Sequence, residues 1–391
     1  MFIHKVMKVL IVVLLVSLVV FFTYFYVERK DWQRVAKYNL YALQLNFDHN
    51  KWQCDPQAPV WMKKILVTNT RELESFANQI SYITPEGKQY TCVSGGVKEF
   101  NDNNQITKNT RFVFASLTKV ITSVQLLALV EQGKLQLNHA ALPLLGKFDV
   151  RDKKLNDIQV IDLMRHQAGF DRFITGEPMF QQKDWVWCPY HLERLNEMEV
   201  QYIPGQTVKY SNLGYCLLGQ ILENKQQKPY RQLTLEYLNE IVPSNHFKFI
   251  DTEKYKDEVT YDDFYNYIHN FRVTRNMQAV SAVSGLSGNA SELANFYQYI
   301  VSKYGEDYIF NQNIYKCRND NVCDRGVLLE KVYNNGFQIY LSTGTYPGFT
   351  GYVVVDEKGG IFVSLSNGYK SNKNRMKVID KVREYLTEYY H

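Results

Sequence analysis

Strand patterns lie near both ends of this chain, and a mostly helical region separates them. Residues 79–84 and 89–93 alternate around the turn at 85–88, which predicts a β-hairpin. Strand patterns return downstream at 336–341, 350–355 and 360–366. Short helices and irregular aromatic-rich segments fill the region about 140–275. The order predicts an α/β (α+β) fold, in which one antiparallel sheet from the N- and C-terminal segments is flanked by helices beside an inserted helical lobe.

Four amphipathic segments outside that region are predicted helices. They cover 31–48, 117–132, 291–302 and 375–389. Gly133 ends the second, as glycine commonly does at a helix C-terminus. Ser291 is the predicted N-cap of the third, with the Glu292 carboxylate favourably placed in its first turn. The cleft between the sheet and the helical lobe is then the natural place for a site.

The first 30 residues differ from all that follow and predict a membrane anchor ahead of a domain over 31–391. From 9 to 27 the chain is almost wholly apolar, broken only by Ser17 and Thr23. At about 1.5 Å per residue, this stretch comes close to the roughly 30 Å of a bilayer core. The alternatives are a buried core helix or a cleaved signal peptide. The run is long and lacks small residues at its end, which favours an uncleaved anchor.

Basic residues flank the apolar run on both ends, so they do not indicate on which side of the membrane the domain lies. The cysteines do bear on this question. Cys317 and Cys323 flank a polar loop, which favours a loop-closing disulfide, and Cys54 with Cys92 could form a second. Cys216 lies in an apolar helical stretch and is predicted to be a buried free thiol. Disulfides indicate a domain outside the cytoplasm, held at the inner membrane by a single span and facing the periplasm or exterior.

Charge and motif content exclude several function classes. The net charge of +5 is spread among acids, without the basic block that tracks nucleic-acid phosphates. Zinc-type cysteine pairs are missing from the sequence, so neither a metal nor an organic cofactor is implied. The predicted partners are a small-molecule or peptide substrate and, through the N-terminal helix, a membrane.

The first motif that carries chemistry is Ser116-Leu117-Thr118-Lys119. On a helix, positions i and i+3 share a face, so Lys119 stands beside the Ser116 hydroxyl. A serine needs a neighbouring base or cation to become nucleophilic, and a buried lysine can serve. The alternative is an ordinary helix start with serine as its cap, because a lone Ser-x-x-Lys is common.

The second motif is Tyr210-Ser211-Asn212. Two residues apart in an extended or turn segment, Tyr210 and Asn212 point to the same side. A phenol near a cation can take or return a proton, and the Asn212 amide can orient Lys119 and a substrate carbonyl. Two other Tyr-x-Asn sequences, at 237–239 and 333–335, have no supporting context.

The third motif is Ser342-Thr343-Gly344-Thr345, on a predicted strand followed by two more. A glycine in an edge strand lets a substrate approach the backbone closely, so that N–H groups can complete an oxyanion hole.

In this order, the three segments resemble the serine β-lactamase and penicillin-binding-protein superfamily. Its class C β-lactamase, D,D-peptidase and esterase branch runs Ser-x-x-Lys, Tyr-x-Asn, then Lys- or His-Thr-Gly. Framework segments at 163–170 and from Gly285-Leu286 to 291–294 also resemble this branch, and the likeness covers about 70–370.

The resemblance implies a role for each motif residue. Ser116 would be the nucleophile, Lys119 its activator, Tyr210 the general base or acid and Asn212 a positioning residue. The N–H groups of Ser116 and Thr345 would form the oxyanion hole, with Ser342, Thr343 and Gly344 beside the substrate. His166 is interpreted as structural, and His191 and His246 lack motif context.

One departure bears on the substrate. Ser342 stands where the branch carries Lys or His, and a lost charge-assisted contact costs on the order of 1.5–3 kcal/mol. The sequence therefore predicts a serine hydrolase that cleaves an ester or amide through a Ser116 acyl-enzyme. It leans toward a small or uncharged acyl substrate, with weak β-lactamase activity at most. A D,D-peptidase stays open, and so does a catalytically weak module that binds penicillin or cell-wall fragments.

Overall fold

The computed structural model describes residues 2–28, 30–243, 245–261, 267–311, 313, 317–319, 322–323, 326–332 and 337–390. Its helices are α1 (Phe2–Glu28), α2 (Lys30–Phe47), α3 (Val60–Glu72), α4 (Thr118–Glu131), α5 (Leu142–Leu145), α6 (Val160–Met164), α7 (Asn212–Gln226), α8 (Tyr230–Ile241), α9 (Tyr267–Thr274), α10 (Ser281–Ser284), α11 (Ala290–Tyr308) and α12 (Asn372–Tyr390). The helices predicted over 31–48, 117–132 and 375–389 correspond to α2, α4 and α12.

The strands are β1 (Trp52–Cys54), β2 (Asn78–Ile83), β3 (Gln89–Ser94), β4 (Phe112–Val113), β5 (Lys248–Phe249), β6 (Leu286–Gly288), β7 (Cys317–Asn319), β8 (Val322–Cys323), β9 (Glu330–Val332), β10 (Ile339–Tyr346), β11 (Phe349–Asp356) and β12 (Ile361–Ser366). Among the described residues, seven strands form one sheet in the order β1-β3-β2-β12-β11-β10-β9. The predicted α/β fold, with an antiparallel sheet flanked by helices, is confirmed.

The N-terminal hairpin and the C-terminal meander join through one strand pair. β2 pairs with β3 in antiparallel fashion, and its other edge pairs with β12, with Ile83 opposite Ile361. β12 then continues through β11 to β10. Strands from both ends of the chain thus complete one sheet, as the strand patterns predicted.

Helices cover both faces of this sheet. Because side chains alternate across a strand, Val353 and Val363 lie in the core that α11 joins, while Tyr352 and Phe362 lie in the core formed with α3 and α12. Every residue of β11 is buried. The central strands of the sheet are therefore packed on both faces, and β10 is paired with one of them.

Two helix and strand boundaries differ from the sequence prediction. The N-cap of α11 is Asn289, whose side chain accepts from the N–H of Glu292, whereas the Ser291 hydroxyl bonds to Thr91. The Ser291 cap was therefore wrong, although Glu292 does lie in the first turn. β10 runs on to Tyr346, so that it contains the third motif. Residues 333–336 lie outside the described residues.

The disulfides correct one cysteine prediction. Cys54 bonds to Cys92 across the β1–β3 pair, a pairing that the sequence allowed without determining it. Cys216 is in a disulfide with Cys188, so its prediction as a free thiol was wrong. An apolar helical stretch can bury a disulfide-bonded cysteine as readily as a free thiol, so the apolar surroundings of Cys216 did not distinguish the two. Cys317 and Cys323 are opposite each other in the β7–β8 pair, but their side chains lie outside the described residues. Two disulfides are typical of a secreted or periplasmic domain.

The N-terminal helix α1 is apolar, and its long apolar stretch is not buried against the rest of the fold. Its stretch Val6–Tyr24 has a mean hydropathy of 2.8 and no part buried in the fold, which suits a membrane span or a signal sequence by length and composition. α2 follows and packs against α3, with Tyr38 and Leu45 buried.

Candidate active site

Ser116 lies in a one-turn 3₁₀ helix, Ala115–Leu117, that leads directly into α4. The turn follows β4, and Ala115 has a φ of 47°, in the left-handed region that non-glycine residues rarely adopt. Such local strain persists only where the surrounding structure enforces it, and it concentrates at functional sites. Phe114, Ala115 and Leu117 are fully buried, while Ser116 keeps partial exposure.

Lys119 is completely buried one turn beyond Ser116. Its Nζ donates to Ser116 Oγ at 3.0 Å and to the carbonyl of Val283 in α10 at 2.8 Å. The same ammonium lies 5.2 Å from the ring centroid of Tyr210, a favourable cation–π distance. The helical i, i+3 expectation for Ser116 and Lys119 therefore holds in detail.

Tyr210 meets Ser116 from the helical lobe. Its hydroxyl is hydrogen-bonded to Ser116 Oγ at 2.7 Å. The buried His166 holds the segment, because its carbonyl accepts from the N–H of Lys209 and its Nδ1 from the N–H of Ser211. Its ring packs 4.4 Å from that of Tyr210. These contacts support the interpretation of His166 as structural.

Asn212 begins α7, and its amide is engaged by a residue that the sequence did not single out. Asn212 Nδ2 donates to Glu177 Oε1 at 2.9 Å, and Arg172 Nε is 3.2 Å from the same oxygen. Burial raises the pKa of Glu177 above its ordinary value, against the opposing effects of Arg172, Asn212 and Lys119. No motif marks Glu177 or Arg172, since both belong to irregular chain between the first two motifs.

The third motif lies directly against the Ser116 turn. A β-carbon on Gly344 would fall 2.2 Å from the Phe114 carbonyl oxygen and 3.0 Å from Ser116 N, so only glycine fits there. β9 pairs with β10 only as far as Leu341, and the motif begins at the next residue. The strand is thus an edge only in its second half, because no described strand pairs with that side of it beyond Leu341.

These residues line a cleft between the sheet and the helical lobe with a volume of about 620 Å³. That size is typical of small-molecule sites. Ser116, Tyr210, Asn212, Thr343 and Thr345 all contribute to its walls. The three motifs, separated by more than 200 residues in sequence, therefore meet at one site.

The family model described as Beta-lactamase matches residues 81–387. The chain belongs to the beta-lactamase family. Its solved structural neighbours include proteins described as β-lactamase/D-alanine carboxypeptidase, penicillin-binding protein and D-alanine carboxypeptidase, and they share its fold, as the resemblance predicted.

The curated relatives of this beta-lactamase family member include a putative fimbrial assembly protein, FimD of serogroup D, from Dichelobacter nodosus. It is 28% identical over 335 residues, covering 83% of each chain. The FimD of serogroup H1 is 27% identical, again with 83% of each chain covered.

Two solved structures illustrate the shared fold of the family. A β-lactamase/D-alanine carboxypeptidase from Yersinia pestis has a TM-score of 0.65 at 17% identity, covering 82% of this chain and 95% of that one. A D-amino acid amidase from Ochrobactrum anthropi has a TM-score of 0.64 at 17% identity, with 83% and 99% covered.

Ser342, the departure from the branch motif, is buried in this family member. It is 2% exposed, and its Oγ receives no hydrogen bond from the described residues. Ser342 is not among the described residues that line the cleft. A cation does enter from elsewhere, because Arg375 of α12 lines the cleft.

Arg375 brings positive charge close to the motif tyrosine. Burial lowers the pKa of its guanidinium, while Tyr369, Glu330 and Tyr210 oppose the shift. An arginine nonetheless stays charged in proteins. Its Nε donates to no hydrogen-bond partner among the described residues.

The two histidines that lack motif context, His191 and His246, do not line this cleft. His191 pairs with Glu193 at 3.2 Å, and His246 pairs with Glu292 at 2.7 Å. Both are more than half exposed, and neither is among the described residues that line the cleft.

Proposed function

We propose that this protein is a serine hydrolase that cleaves an amide or ester bond through an acyl-enzyme on Ser116. One observation carries the proposal: Ser116 Oγ is hydrogen-bonded at once to Tyr210 OH, at 2.7 Å, and to Lys119 Nζ, at 3.0 Å. A nucleophile within reach of both a proton acceptor and a cation is the arrangement that nucleophilic catalysis requires.

In the acylation step, Ser116 Oγ attacks the substrate carbonyl carbon as its proton passes to the Tyr210 oxygen. Lys119 favours the phenolate form of Tyr210 by its charge and keeps Ser116 oriented. The tetrahedral intermediate then collapses, the bond to the leaving group breaks, and Tyr210 returns the proton to the leaving nitrogen or oxygen. In deacylation, Tyr210 takes a proton from water as the water oxygen attacks the acyl carbonyl carbon. The ester bond to Ser116 Oγ then breaks, Tyr210 returns the proton to Ser116 Oγ, and the acid is released.

The oxyanion of that intermediate is assigned to the N–H groups of Ser116 and Thr345. The contact of Gly344 with the Ser116 turn supports this assignment, because it brings the β10 backbone to the start of α4. Donors fixed in advance around a developing charge stabilise it without reorganisation.

The proposed substrate is a peptide or related amide whose leaving group carries a free carboxylate, such as a fragment derived from peptidoglycan. Ser342 alone favoured an uncharged substrate, but Arg375 supplies the charge that Ser342 lacks. A guanidinium binds a carboxylate through two parallel hydrogen bonds. Neighbouring structures described as D-alanine carboxypeptidases agree with this choice. Weak β-lactamase activity at most is expected.

The proposed location follows from the N-terminal helix and the disulfides. Residues 1–30 would anchor the protein in the inner membrane as a single span, and 31–391 would form the hydrolase domain in the periplasm or outside the cell. The hydropathy of Val6–Tyr24 and the two disulfides support this arrangement.

Covalent labelling of the full chain in membranes tests the proposal. A fluorescent phosphonate or penicillin is expected to label native protein and Ser302→Ala, which changes an exposed serine of α11. Ser116→Ala should lose the label, and peptide mapping of native protein should find the adduct on Ser116. Persistent labelling of Ser116→Ala would overturn the assignment.

The same adduct separates the hydrolase from a module that binds cell-wall fragments without turnover. A hydrolase releases the label or a peptide product over time, whereas a binding module keeps a stable adduct and yields no product. Release of D-alanine from a D-Ala–D-Ala peptide is the decisive readout.

A further inference from the structure

Helix α2 has two apolar faces, of which one is buried in the domain. Tyr38, Ala42 and Leu45 are buried, and α2 packs against α3. The other face carries apolar residues that are all exposed. They are Trp32, Ala36, Leu40, Leu43 and Phe47, and we call them the α2 stripe. A contiguous exposed apolar surface commonly marks a place of interaction.

The two faces of α2 point in nearly opposite directions. Each residue of an α-helix is rotated by about 100° from the one before, so the stripe occupies an arc of about 80° centred roughly 150° from the buried face. Polar residues separate the two faces, with Asn39 and Asn46 on one flank. Gln33, Lys37 and Gln44 lie on the other flank. A helix at the surface of a globular domain needs one apolar face, so the α2 stripe is a second one that the packing of the domain does not require.

The chain ahead of α2 indicates what covers the stripe. The apolar stretch Val6–Tyr24 suits a membrane span, and α2 begins shortly after it, at Lys30. With α1 in the bilayer, Trp32 lies near the membrane surface, where tryptophan side chains are enriched. Between residues 29 and 64 the sequence has seven lysines and arginines against three acidic residues, which favours contact with an anionic lipid surface.

The length of the stripe distinguishes two placements of α2. From Trp32 to Phe47 the stripe extends about 22 Å, at about 1.5 Å per residue. If α2 stood perpendicular to the membrane, Leu43 and Phe47, which are both more than half exposed, would lie well out in water. If α2 lies in the plane of the membrane surface, lipid covers the whole stripe while the opposite face holds the domain. Helices with Trp, Phe and Leu on one face bind membranes in this second way.

We infer that α2 lies along the bilayer surface with the α2 stripe inserted among the lipids, and that it seats the catalytic domain on the membrane. The inference rests on the proposed membrane anchor and goes beyond it. A single span alone would leave the domain free to tilt, whereas α2 on the surface fixes which side of the domain faces the lipid. The stripe is thereby assigned to lipid and not to a second copy of the chain.

Photocrosslinking of the full chain tests this placement. Phe47→p-benzoylphenylalanine puts a photoreactive aromatic group at the end of the stripe farthest from α1. The variant is reconstituted in vesicles of phosphatidylethanolamine and phosphatidylglycerol and irradiated, and mass spectrometry of its peptides is expected to find lipid adducts at residue 47. Gln232→p-benzoylphenylalanine, at an exposed position of α8 in the helical lobe, is the control and should give at most about a tenth as many.

A pair of double variants shows whether the stripe itself holds the lipid. Leu40→Glu with Leu43→Glu, made in the photoreactive chain, should reduce the lipid adducts at least about tenfold, because it places two charges on the apolar face. Asn39→Glu with Asn46→Glu adds the same charge to a polar flank and should keep the adducts. Circular dichroism shows whether each variant is folded.

Each outcome decides one point. Adducts at residue 47 that are no more frequent than at residue 232, or that the Leu40 and Leu43 substitutions leave unchanged, would overturn the placement of α2. A crosslinked dimer at residue 47 without lipid adducts would assign the stripe to a second copy of the chain and overturn it as well. An intact mass that shows residues 1–30 removed would refute the proposed anchor, and this inference with it. Lipid adducts at residue 47 on a chain that takes no label at Ser116 would refute the proposed hydrolase and support the placement of α2.

Discussion

Gly344 and Ser116 are in direct backbone contact, and a β-carbon at Gly344 would lie 3.0 Å from Ser116 N. The Phe114 carbonyl oxygen would be closer still, at 2.2 Å. The strand β10 and the turn that presents Ser116 therefore form one unit, and their separation depends on the absence of a side chain at Gly344.

Gly344→Ala is accordingly expected to reduce acylation of Ser116 by about a hundredfold, because a misplacement of about 1 Å at a site has that order of effect. The labelling rate with a phosphonate measures it. Gly133→Ala is the control, since nothing lies within 4 Å of its added carbon and only its φ of 68° is strained. It should lower the free energy of unfolding without changing the labelling rate. Equal labelling rates for native protein and Gly344→Ala would contradict the close-contact argument.

Lys119→Met should lower kcat roughly a hundredfold to ten-thousandfold, because it removes the cation beside Ser116 and Tyr210. Lys303→Met, which breaks an exposed pair with Glu131, should leave kcat unchanged. Circular dichroism must show that both variants fold. A Lys119→Met enzyme with native kcat would mean that Tyr210 deprotonates Ser116 without help.

Arg375→Gln should raise KM for a peptide with a free terminal carboxylate about tenfold or more, the effect expected for one charge-assisted contact of roughly 1.5–3 kcal/mol. A p-nitrophenyl ester without a carboxylate should be turned over as before. Arg383→Gln lies on the same helix, where its partner is Asp380, and serves as the control. A loss on both substrates would assign Arg375 a general structural role.

Turnover should depend on pH through Glu177, which accepts a hydrogen bond from Asn212 of the second motif. Burial raises the pKa of this carboxyl, with Arg172, Asn212 and Lys119 opposing, so it takes up a proton at a higher pH than an exposed glutamate does. The ionised form is the better acceptor for Asn212 Nδ2, so this contact is strongest above that pKa and weakens as the pH falls through it.

The measurement is kcat/KM across pH for native protein and for Glu177→Gln. In native protein kcat/KM should fall on acidification through the pKa of Glu177, and in Glu177→Gln this step of the profile should be absent. A native kcat/KM that does not change between neutral and mildly acid pH would speak against a role for Glu177 ionisation.

The Cys188–Cys216 disulfide closes a loop with a sequence separation of 28 residues in the helical lobe. Loop-closure entropy for that length gives about 3–4 kcal/mol of stabilisation. Replacing both cysteines by alanine should lower the free energy of unfolding by that order, measured by urea denaturation. Non-reducing peptide mapping should recover Cys188 and Cys216 in one linked species. Recovery of a free Cys216 would restore the sequence-based prediction.

Local patterns in the sequence were enough to predict the sheet, the long helices and the order of the three motifs. The hairpin of β2 and β3 follows from alternation and turn residues, and the Ser116–Lys119 contact follows from helical spacing. These features depend on neighbours within a few residues, so a single chain is enough to predict them. The family resemblance at Tyr210 and Gly344 extended this to the site.

Tertiary packing alone decided what surrounds those motifs. Three features depend on contacts between segments that are distant in sequence. They are the disulfide between Cys188 and Cys216, the burial of Ser342, and the presence of Arg375 and Glu177 in the wall of the cleft. Nothing local marks such partners, because their proximity arises from how α7, α12 and the sheet pack. The sequence alone thus determined the nucleophile and its neighbours as a prediction, and the packed structure decided which charges a substrate would meet.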